Sequence, residues 1–178
     1  MRVMVLGGYG NFGARISRAL AADPSIDLLV AGRDENKASA FATALNCHAL
    51  GVAVDWQGPH LVRALQAHGV QLLIHTAGPF QGQDYTVAQA CAQAGAHYID
   101  LADGRRFVCD FAAALQAPFA AANRVAITGA STVPALSSAV VDSLCHGWQR
   151  IHTIDICIAP AQTAPRGVAT LEAVSYTH

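Results

Sequence analysis

A glycine-rich turn near the start of the chain constrains the fold more than any other feature of the sequence. The short apolar segment 2–6 leads into Gly8, Gly10 and Gly13, spaced as GxGxxG, and a helical pattern follows from about Asn11. In this context the first glycine permits a tight turn, the second lets a pyrophosphate approach the backbone, and the third allows close helix packing. The helix N-terminus adds N–H donors and a positive dipole. The turn is therefore predicted to bind a dinucleotide, with a plain strand-to-helix turn as the alternative.

Apolar, strand-like segments alternate with helical patterns along most of the chain. Such alternation is typical of βαβ units and predicts an α/β fold, a doubly wound parallel sheet with helices on both faces. Apolar spacing predicts helices around Ile16, Ala42 and Ala90, and Gly95 suits a left-handed cap at the end of the third. The predicted strands are 2–6, 27–31, 48–54, 70–75, 97–101 and 125–127.

The later part of the chain predicts a domain boundary. A helix is expected over 107–122, where Pro118 should kink or divide it, and another after Pro134. Segment 151–158 then alternates apolar and polar residues, as a half-buried strand does. Because about 30 further residues are too few for an independent core, we expect the chain to be truncated. The predicted domains are 1–148, which binds NAD(P), and 149–178, the start of a second α/β domain for substrate binding or dimerisation.

The composition argues against several classes of function. Lys and Arg number 11 against 12 Asp and Glu, so the chain lacks a basic field for nucleic acid. Apolar runs are shorter than the roughly 20 residues of a membrane span or the core of a signal peptide. Five cysteines without CxxC and eight histidines without HExxH predict no metal site and fit a reduced, cytoplasmic protein. A charged fraction of 13%, against roughly 25% in typical domains, predicts apolar surface covered by a homodimer partner or another domain.

The position that would select between the two nicotinamide dinucleotides is Arg33. NAD sites carry an acidic residue about 20 residues after the last glycine, which binds the ribose 2′-hydroxyl. Arg33 occupies that position here, and the preceding Gly32 is expected to leave room for a 2′-phosphate. The sequence therefore predicts NADP rather than NAD. A solvated surface arginine is the alternative, and Asp34 is interpreted as a helix N-cap.

Further candidates follow the later strands, because open α/β sheets bind ligands at their carboxyl edge. Asp55 closes the third strand and is assigned either to adenine contact or to the start of the next helix. The loop after the fourth strand is expected to border the cofactor, or to be a Gly-Pro turn with an aromatic plug. Its candidate residues are Ala77, Gly78, Pro79 and Phe80.

Candidate substrate-facing residues lie on and after the fifth strand, at Tyr98, Asp100 and Asp103. Strand alternation places Tyr98 and Asp100 on one face, and a structural role is the alternative for each residue. The single lysine, Lys37, has no tyrosine four positions before it, which excludes the YxxxK pair of short-chain dehydrogenases. No GxSxG elbow is present either. Catalytic residues are therefore expected beyond position 178.

Several segments together resemble the saccharopine dehydrogenase-like oxidoreductases over nearly the whole chain. They are GGYGNFG, AGRDENKA, HTAGPFQGQ, CAQAGAHYIDLADG and TGASTVPALSS. The resemblance implies a Rossmann domain that binds NADP or NAD, followed by a domain carrying much of the substrate site, which segment 166–170 would begin. Carried over by position, it implies cofactor contacts at Gly8, Gly10, Asn11, Phe12, Gly13, Arg33, Ala77, Gly78, Pro79 and Phe80.

The resulting prediction is an NADP-dependent oxidoreductase that exchanges a hydride between the nicotinamide and a small-molecule substrate. The resemblance adds a substrate carbon that becomes an imine, as in amino-acid chemistry. Two alternatives stay open: a non-catalytic regulator that senses NADP, and a reductase of a lipid or enoyl substrate. Family membership does not fix the substrate.

Overall fold

A six-stranded parallel sheet forms the centre of the molecule in a computed structural model that describes residues 1–58, 60–157 and 159. The strands are β1 (Arg2–Leu6), β2 (Asp27–Gly32), β3 (Leu50–Ala53), β4 (Leu72–His75), β5 (His97–Asp100) and β6 (Ala126–Ile127). They lie in the order β3-β2-β1-β4-β5-β6, with every pair parallel. This is the strand order of the Rossmann fold, which confirms the predicted fold class.

Helices connect the strands as the alternation predicts. They are α1 (Gly13–Leu20), α2 (Glu35–Ala44), α3 (Leu61–Ala67), α4 (Thr86–Ala94), α5 (Arg105–Ala121) and α6 (Ser137–Leu144), the last preceded by a π-helical turn over Thr132–Leu136. Gly95 caps α4 with a φ of +73°, as predicted. α3 was not predicted, because this seven-residue helix buries only Leu61 and Leu65.

Two predicted helix details are wrong. The first helix was expected from about Asn11, but α1 begins at Gly13, so Phe12 precedes the helix and is 52% exposed. α5 continues through Pro118, which lies on an exposed side of the helix close to its C-terminal end. A proline there removes one hydrogen bond but has little helix left to divide.

The core lies on both faces of the sheet, centred on β1 and β2. Successive residues of β1 alternate between the faces, as strand side chains must. Met4 and Leu6 pack in the larger cluster, with buried residues of α3, α4 and α5, whereas Val5 packs with Ala38 and Ala42 of α2. Burial on both sides explains why β1 and β2 read as continuous apolar runs.

The region after β6 differs from the prediction. α6 forms as expected, yet it has no buried residue, and residues 151–157 form no strand although their alternation predicted one. These residues are exposed, and no strand in the described part of the chain pairs with them. Position 158 and segment 160–178, which includes 166–170, lie outside the described residues. No helix in the described ranges is both long and apolar enough to cross a membrane.

Candidate functional site

The turn between β1 and α1 packs too tightly for any side chain at two of its glycines. Gly7 leaves β1 with a φ of +81°, in the left-handed region that favours glycine. A Cβ on Gly13 would collide with the carbonyl oxygen of Gly7, and one on Gly8 would lie 2.7 Å from the carbonyl oxygen of Val5. The predicted role of Gly13 in close helix packing therefore fits the geometry.

The outer side of the same turn is open and suits an anion. Gly10, Asn11 and Phe12 are exposed, and a Cβ on Gly10 would meet only the Gly7 carbonyl, at 3.0 Å. The first turn of α1 carries no acidic residue. The N–H groups of Ala14 and Arg15 already donate to the carbonyls of Gly10 and Phe12, at 2.8 Å and 3.1 Å. What the start of α1 offers an anion is therefore the positive end of the helix dipole. The arrangement fits the phosphates of a dinucleotide.

The end of β2 presents one exposed guanidinium, that of Arg33. Arg33 is exposed and forms no ion pair with any described residue. Asp34 caps α2, as predicted: its Oδ1 accepts a hydrogen bond from the Lys37 N–H at 3.0 Å, and its Oδ2 lies 3.5 Å from Lys37 Nζ. The expectation that Gly32 leaves room for a phosphate is wrong. The Tyr9 ring fills that space, and a Cβ on Gly32 would lie 2.7 Å from Tyr9 Cζ.

Asp55 lies in the loop after β3, exposed to solvent. Its Oδ1 accepts a hydrogen bond from the Gln57 N–H at 3.1 Å, which makes a local turn. The neighbouring Trp56 lines a cavity of about 460 Å³ together with Gly78 and Pro79. The loops after β3 and β4 thus share one edge of the sheet, where the adenine of a dinucleotide is expected.

A larger cavity of about 700 Å³ opens beside the loops that follow β4, β5 and β6. It brings together five of the predicted site residues, while the others, among them Gly8, Arg33 and Asp55, are not part of its lining. Its remaining lining includes the side chains of Thr76, Ser131 and Thr132. The five predicted residues are Phe12, Gly78, Pro79, Phe80 and Asp103.

Two of the three substrate-side candidates lie behind this cavity rather than in it. Tyr98 is 1% exposed and Asp100 is fully buried, so neither side chain faces solvent in this structure. Asp100 Oδ1 accepts hydrogen bonds from the N–H of Ala102 at 2.9 Å, the N–H of Gly129 at 2.8 Å and the hydroxyl of Thr128 at 2.9 Å. Its carboxylate therefore ties the loop after β5 to the loop after β6.

A third buried polar residue, His75, completes this group, which we call the buried polar cluster of His75, Tyr98 and Asp100. His75 Nδ1 lies 3.1 Å from the Tyr98 hydroxyl, and Nε2 has no hydrogen-bond partner among the described residues. Burial lowers the pKa of His75 to about 4, so the imidazole is neutral at neutral pH. Burial raises the pKa of Asp100 and that of Tyr98.

Sequence reasoning missed several residues that shape the site. His75 was treated only as the end of a strand, and the Tyr9 position within the glycine turn was passed over. Buried Ser17 donates from its hydroxyl to the Gly8 carbonyl at 3.1 Å, and Thr76 Oγ1 donates to the Leu6 carbonyl at 2.8 Å. A small polar residue on the apolar face of α1 was a usable signal for Ser17. No group of three or more metal-ligating side chains occurs in the described ranges.

Comparison with known proteins agrees with this geometry. The family model described as the saccharopine dehydrogenase NADP binding domain matches residues 3–133. A curated relative, carboxyaminopropylagmatine dehydrogenase from Synechocystis sp., is 28% identical over 177 residues, which cover 95% of this chain and 44% of the relative. The chain thus spans less than half the length of that relative.

Solved structures show the same fold. Apo saccharopine dehydrogenase (L-Glu forming) from Saccharomyces cerevisiae matches with a TM-score of 0.58 and 15% identity, over 80% of this chain and 31% of that chain. GenD2 from gentamicin A biosynthesis, in complex with NAD, matches with a TM-score of 0.57 and 24% identity, over 83% of this chain and 39% of that chain.

Proposed function

Since this chain belongs to the saccharopine dehydrogenase NADP-binding family, we propose that it forms the cofactor half of an NADP-dependent oxidoreductase. The observation that carries the proposal is the turn over 7–13, tightly packed on its inner side and open on its outer side. The backbone of the turn and the positive dipole end of α1 would hold the pyrophosphate there. Arg33 would hold the 2′-phosphate.

The cavity of about 700 Å³ is where we place the nicotinamide and the reacting carbon. The nicotinamide, when bound, supplies or accepts a hydride. Phe12, Pro79 and Phe80 would pack around the ring and exclude water, while Asp103 and Thr132 offer polar groups at the rim. We assign no catalytic acid or base within this chain.

For the substrate we propose a small molecule in which a carbon–nitrogen single bond is oxidised to an imine, or the reverse. The resemblance to saccharopine dehydrogenases implies this chemistry. Support comes from the names of two relatives, carboxyaminopropylagmatine dehydrogenase and L-Glu-forming saccharopine dehydrogenase. The largely apolar wall of the cavity would hold the carbon skeleton against the nicotinamide.

The test is a calorimetric titration of the chain with NADPH and, separately, with NADH. We expect tighter binding of NADPH. Arg33→Ala should lower the preference for NADPH by about 10-fold to 150-fold, since a charge-assisted hydrogen bond contributes roughly 1.5–3 kcal/mol. Arg150→Ala is the matched control, because Arg150 is exposed and lines neither cavity.

Three outcomes are informative. NADPH preference that Arg33→Ala abolishes supports both the site and the cofactor. Equal effects of Arg33→Ala and Arg150→Ala would remove Arg33 from the 2′-phosphate site. Binding of neither dinucleotide would contradict the proposal. Turnover is tested separately, from the absorbance of the reduced nicotinamide with amino acid and keto acid pairs.

A further inference from the structure

The ring of Tyr9, in the glycine turn, packs against the end of β2. The Tyr9 hydroxyl accepts a hydrogen bond from the Asp34 N–H at 3.2 Å. Its ring, which is half-buried, packs against the cluster that contains Val5 and Val30. A Cβ on Gly32 would lie 2.6 Å from the Tyr9 oxygen and would also collide with Cε1 of the ring. Any side chain at Gly32 therefore requires the ring to move.

This position matters because of what other dinucleotide sites place there. In NAD-binding Rossmann proteins an acidic side chain near the end of the second strand accepts a hydrogen bond from the ribose 2′-hydroxyl. Counting from the glycine turn assigned that position to Arg33, but β2 ends one residue earlier, at Gly32. Gly32 has no side chain, and its free space is occupied by Tyr9. The nearest carboxylate, that of Asp34, already caps α2 and pairs with Lys37.

Two cations, together with the exposed Glu35 in the first turn of α2, also lie at this end of the sheet. Arg33 and Lys37 are both exposed. Tyr9 bonds to the backbone one residue beyond Arg33, so it fixes the segment from which the Arg33 side chain extends. The same aromatic residue thus blocks the position for an acidic group and holds the segment that carries a cation.

We propose that Tyr9 is a specificity-determining residue, which favours an adenosine 2′-phosphate over a 2′-hydroxyl by occupying the place of the acidic residue. This inference rests on the proposed function, because it concerns the same dinucleotide site. It assigns cofactor selection to a packing contact between the glycine turn and the end of β2, in addition to the charge of Arg33. The ligand it recognises is the adenosine end of a 2′-phosphorylated dinucleotide.

The experiment is a double-mutant cycle on the whole chain. Wild type, Tyr9→Ala, Gly32→Asp and the double variant are titrated with adenosine 2′,5′-bisphosphate and with adenosine 5′-monophosphate, then with NADPH and NADH. The melting temperature of each cofactor-free protein is measured in parallel. Both nucleotide probes carry only the adenosine end, so the readout is binding and does not depend on turnover.

We expect Gly32→Asp alone to lower the melting temperature and to weaken binding of all four ligands, because its side chain meets the Tyr9 ring. The double variant should recover the melting temperature. It should also shift the preference between NADPH and NADH toward NADH by at least about tenfold relative to wild type, since a carboxylate can then reach the ribose. Tyr9→Ala alone should reduce the NADPH preference by a smaller factor.

A conservative pair separates the hydroxyl from the ring. Tyr9→Phe keeps the ring over Gly32 and removes the bond to the Asp34 N–H, so NADPH affinity should fall a few-fold while NADH stays the weaker ligand. Tyr85→Phe is the matched control, because it also removes one hydrogen bond between a tyrosine hydroxyl and the backbone. The Tyr85 hydroxyl donates to the Phe107 carbonyl at 2.8 Å. It should leave the ratio of NADPH to NADH affinity unchanged.

The titrations separate the specificity role of Tyr9 from the proposed function on which it rests. Suppose that wild type prefers NADPH, whereas Gly32→Asp alone is as stable as wild type and already prefers NADH. Tyr9 then does not exclude an acidic side chain from the end of β2. The inference is then overturned and the proposed function stands. If wild type binds none of the four ligands, the proposed function fails, and the specificity role of Tyr9 fails with it.

Discussion

The two ends of the carboxyl edge of the sheet are built in different ways. Beside β1 and β2 the candidate site is open: Gly10 and Arg33 are exposed, and the Asp34 cap bonds to Lys37 only three residues away. Beside β5 and β6 the polar groups are buried, and Asp100 bonds to Gly129, 29 residues later. One end is a surface made by short motifs, whereas the other is a core made by contacts between distant segments.

This difference indicates whether a polar residue contributes to ligand binding or to the stability of the fold. At the open end the charged side chains are exposed to solvent, so they are expected to change ligand affinity by modest, salt-dependent amounts. At the closed end, each polar group depends on its partners, because a buried donor or acceptor that loses its partner incurs its full desolvation cost. Variants at the closed end should therefore change the stability of the fold, and variants at the open end should change binding.

The largest effect is expected at Asp100. Asp100→Ala leaves three donors without their acceptor, those of Ala102, Thr128 and Gly129, so we expect a loss on the order of 3–5 kcal/mol in the free energy of unfolding. Asp100→Asn keeps one acceptor oxygen and should lose much less. Urea unfolding measures both. Equal losses in the two variants would show that the charge of Asp100, rather than its hydrogen bonds, joins the loops.

The next largest effect is a pH dependence that originates in His75. Burial lowers the pKa of His75 from the usual 6.5 to about 4. Between those two pH values the folded state therefore binds fewer protons than the unfolded chain. The resulting stability is complete above pH 6.5 and is lost as the pH falls toward 4, by about 3 kcal/mol. Asp100 has the opposite sign: its raised pKa favours folding at low pH, and this contribution is lost as the pH rises through its folded pKa.

The pH prediction is checked by unfolding wild type, His75→Gln and the exposed control His146→Gln between pH 7 and pH 4.5. Because Asp100 is present in all three proteins, its contribution cancels in the differences. We expect the free energy of unfolding to fall more steeply in wild type and in His146→Gln than in His75→Gln. Parallel pH profiles of wild type and His75→Gln would mean that His75 titrates like a solvated histidine.

The same comparison explains what the sequence could predict. Glycine spacing and continuous apolar runs are local patterns, so the turn and the alternation of strands and helices followed from them. The Asp34 cap followed from another local pattern, an Asp placed just before a helix. Strand alternation correctly grouped Tyr98 with Asp100 but did not show that loops cover their face, because that depends on contacts with residues such as Thr128. The Tyr9 ring over Gly32 was missed for the same reason: it joins positions 23 apart by packing alone.

The prediction of a strand over 151–158 was wrong for 151–157, for a different physical reason. Alternation describes a strand that is half-buried in a sheet, yet a strand exists only when another strand pairs with it. Residues 151–157 have no such partner in the described part of the chain, and Ile151, Ile154 and Ile156 are exposed. The assignment of 149–178 to a second domain stays a prediction.

A smaller effect, about 1–3 kcal/mol, is expected for Gly13→Ala at the inner side of the glycine turn. Helix propensity alone favours alanine over glycine by up to about 1 kcal/mol, whereas the new Cβ collides with the Gly7 carbonyl. The sign of the change in unfolding free energy therefore decides between the two effects, and we expect destabilisation. Gly10→Ala is the control: it should change stability little and weaken NADPH binding. A stabilised Gly13→Ala protein would contradict the close packing of α1.

The smallest effect is expected at the open end, for Asp34. Asn is as good an N-cap as Asp, so Asp34→Asn should retain the bond to the Lys37 N–H and the stability of α2. It removes the negative charge next to Arg33, and we expect NADPH affinity to rise by no more than about five-fold, because exposed ion pairs contribute little. Asp34→Ala removes the same charge but also loses the cap, at about 1 kcal/mol of stability.

Titrating both Asp34 variants with NADPH at low and high salt separates charge from capping. If charge controls affinity, both variants bind more tightly than wild type at low salt, and the gain shrinks as salt screens the adenosine end of the site. If the cap controls affinity, because it holds the segment that carries Arg33, only Asp34→Ala changes binding, and it weakens at every salt concentration. The second result would mean that the open end binds its ligand through the position of its backbone rather than through exposed charge.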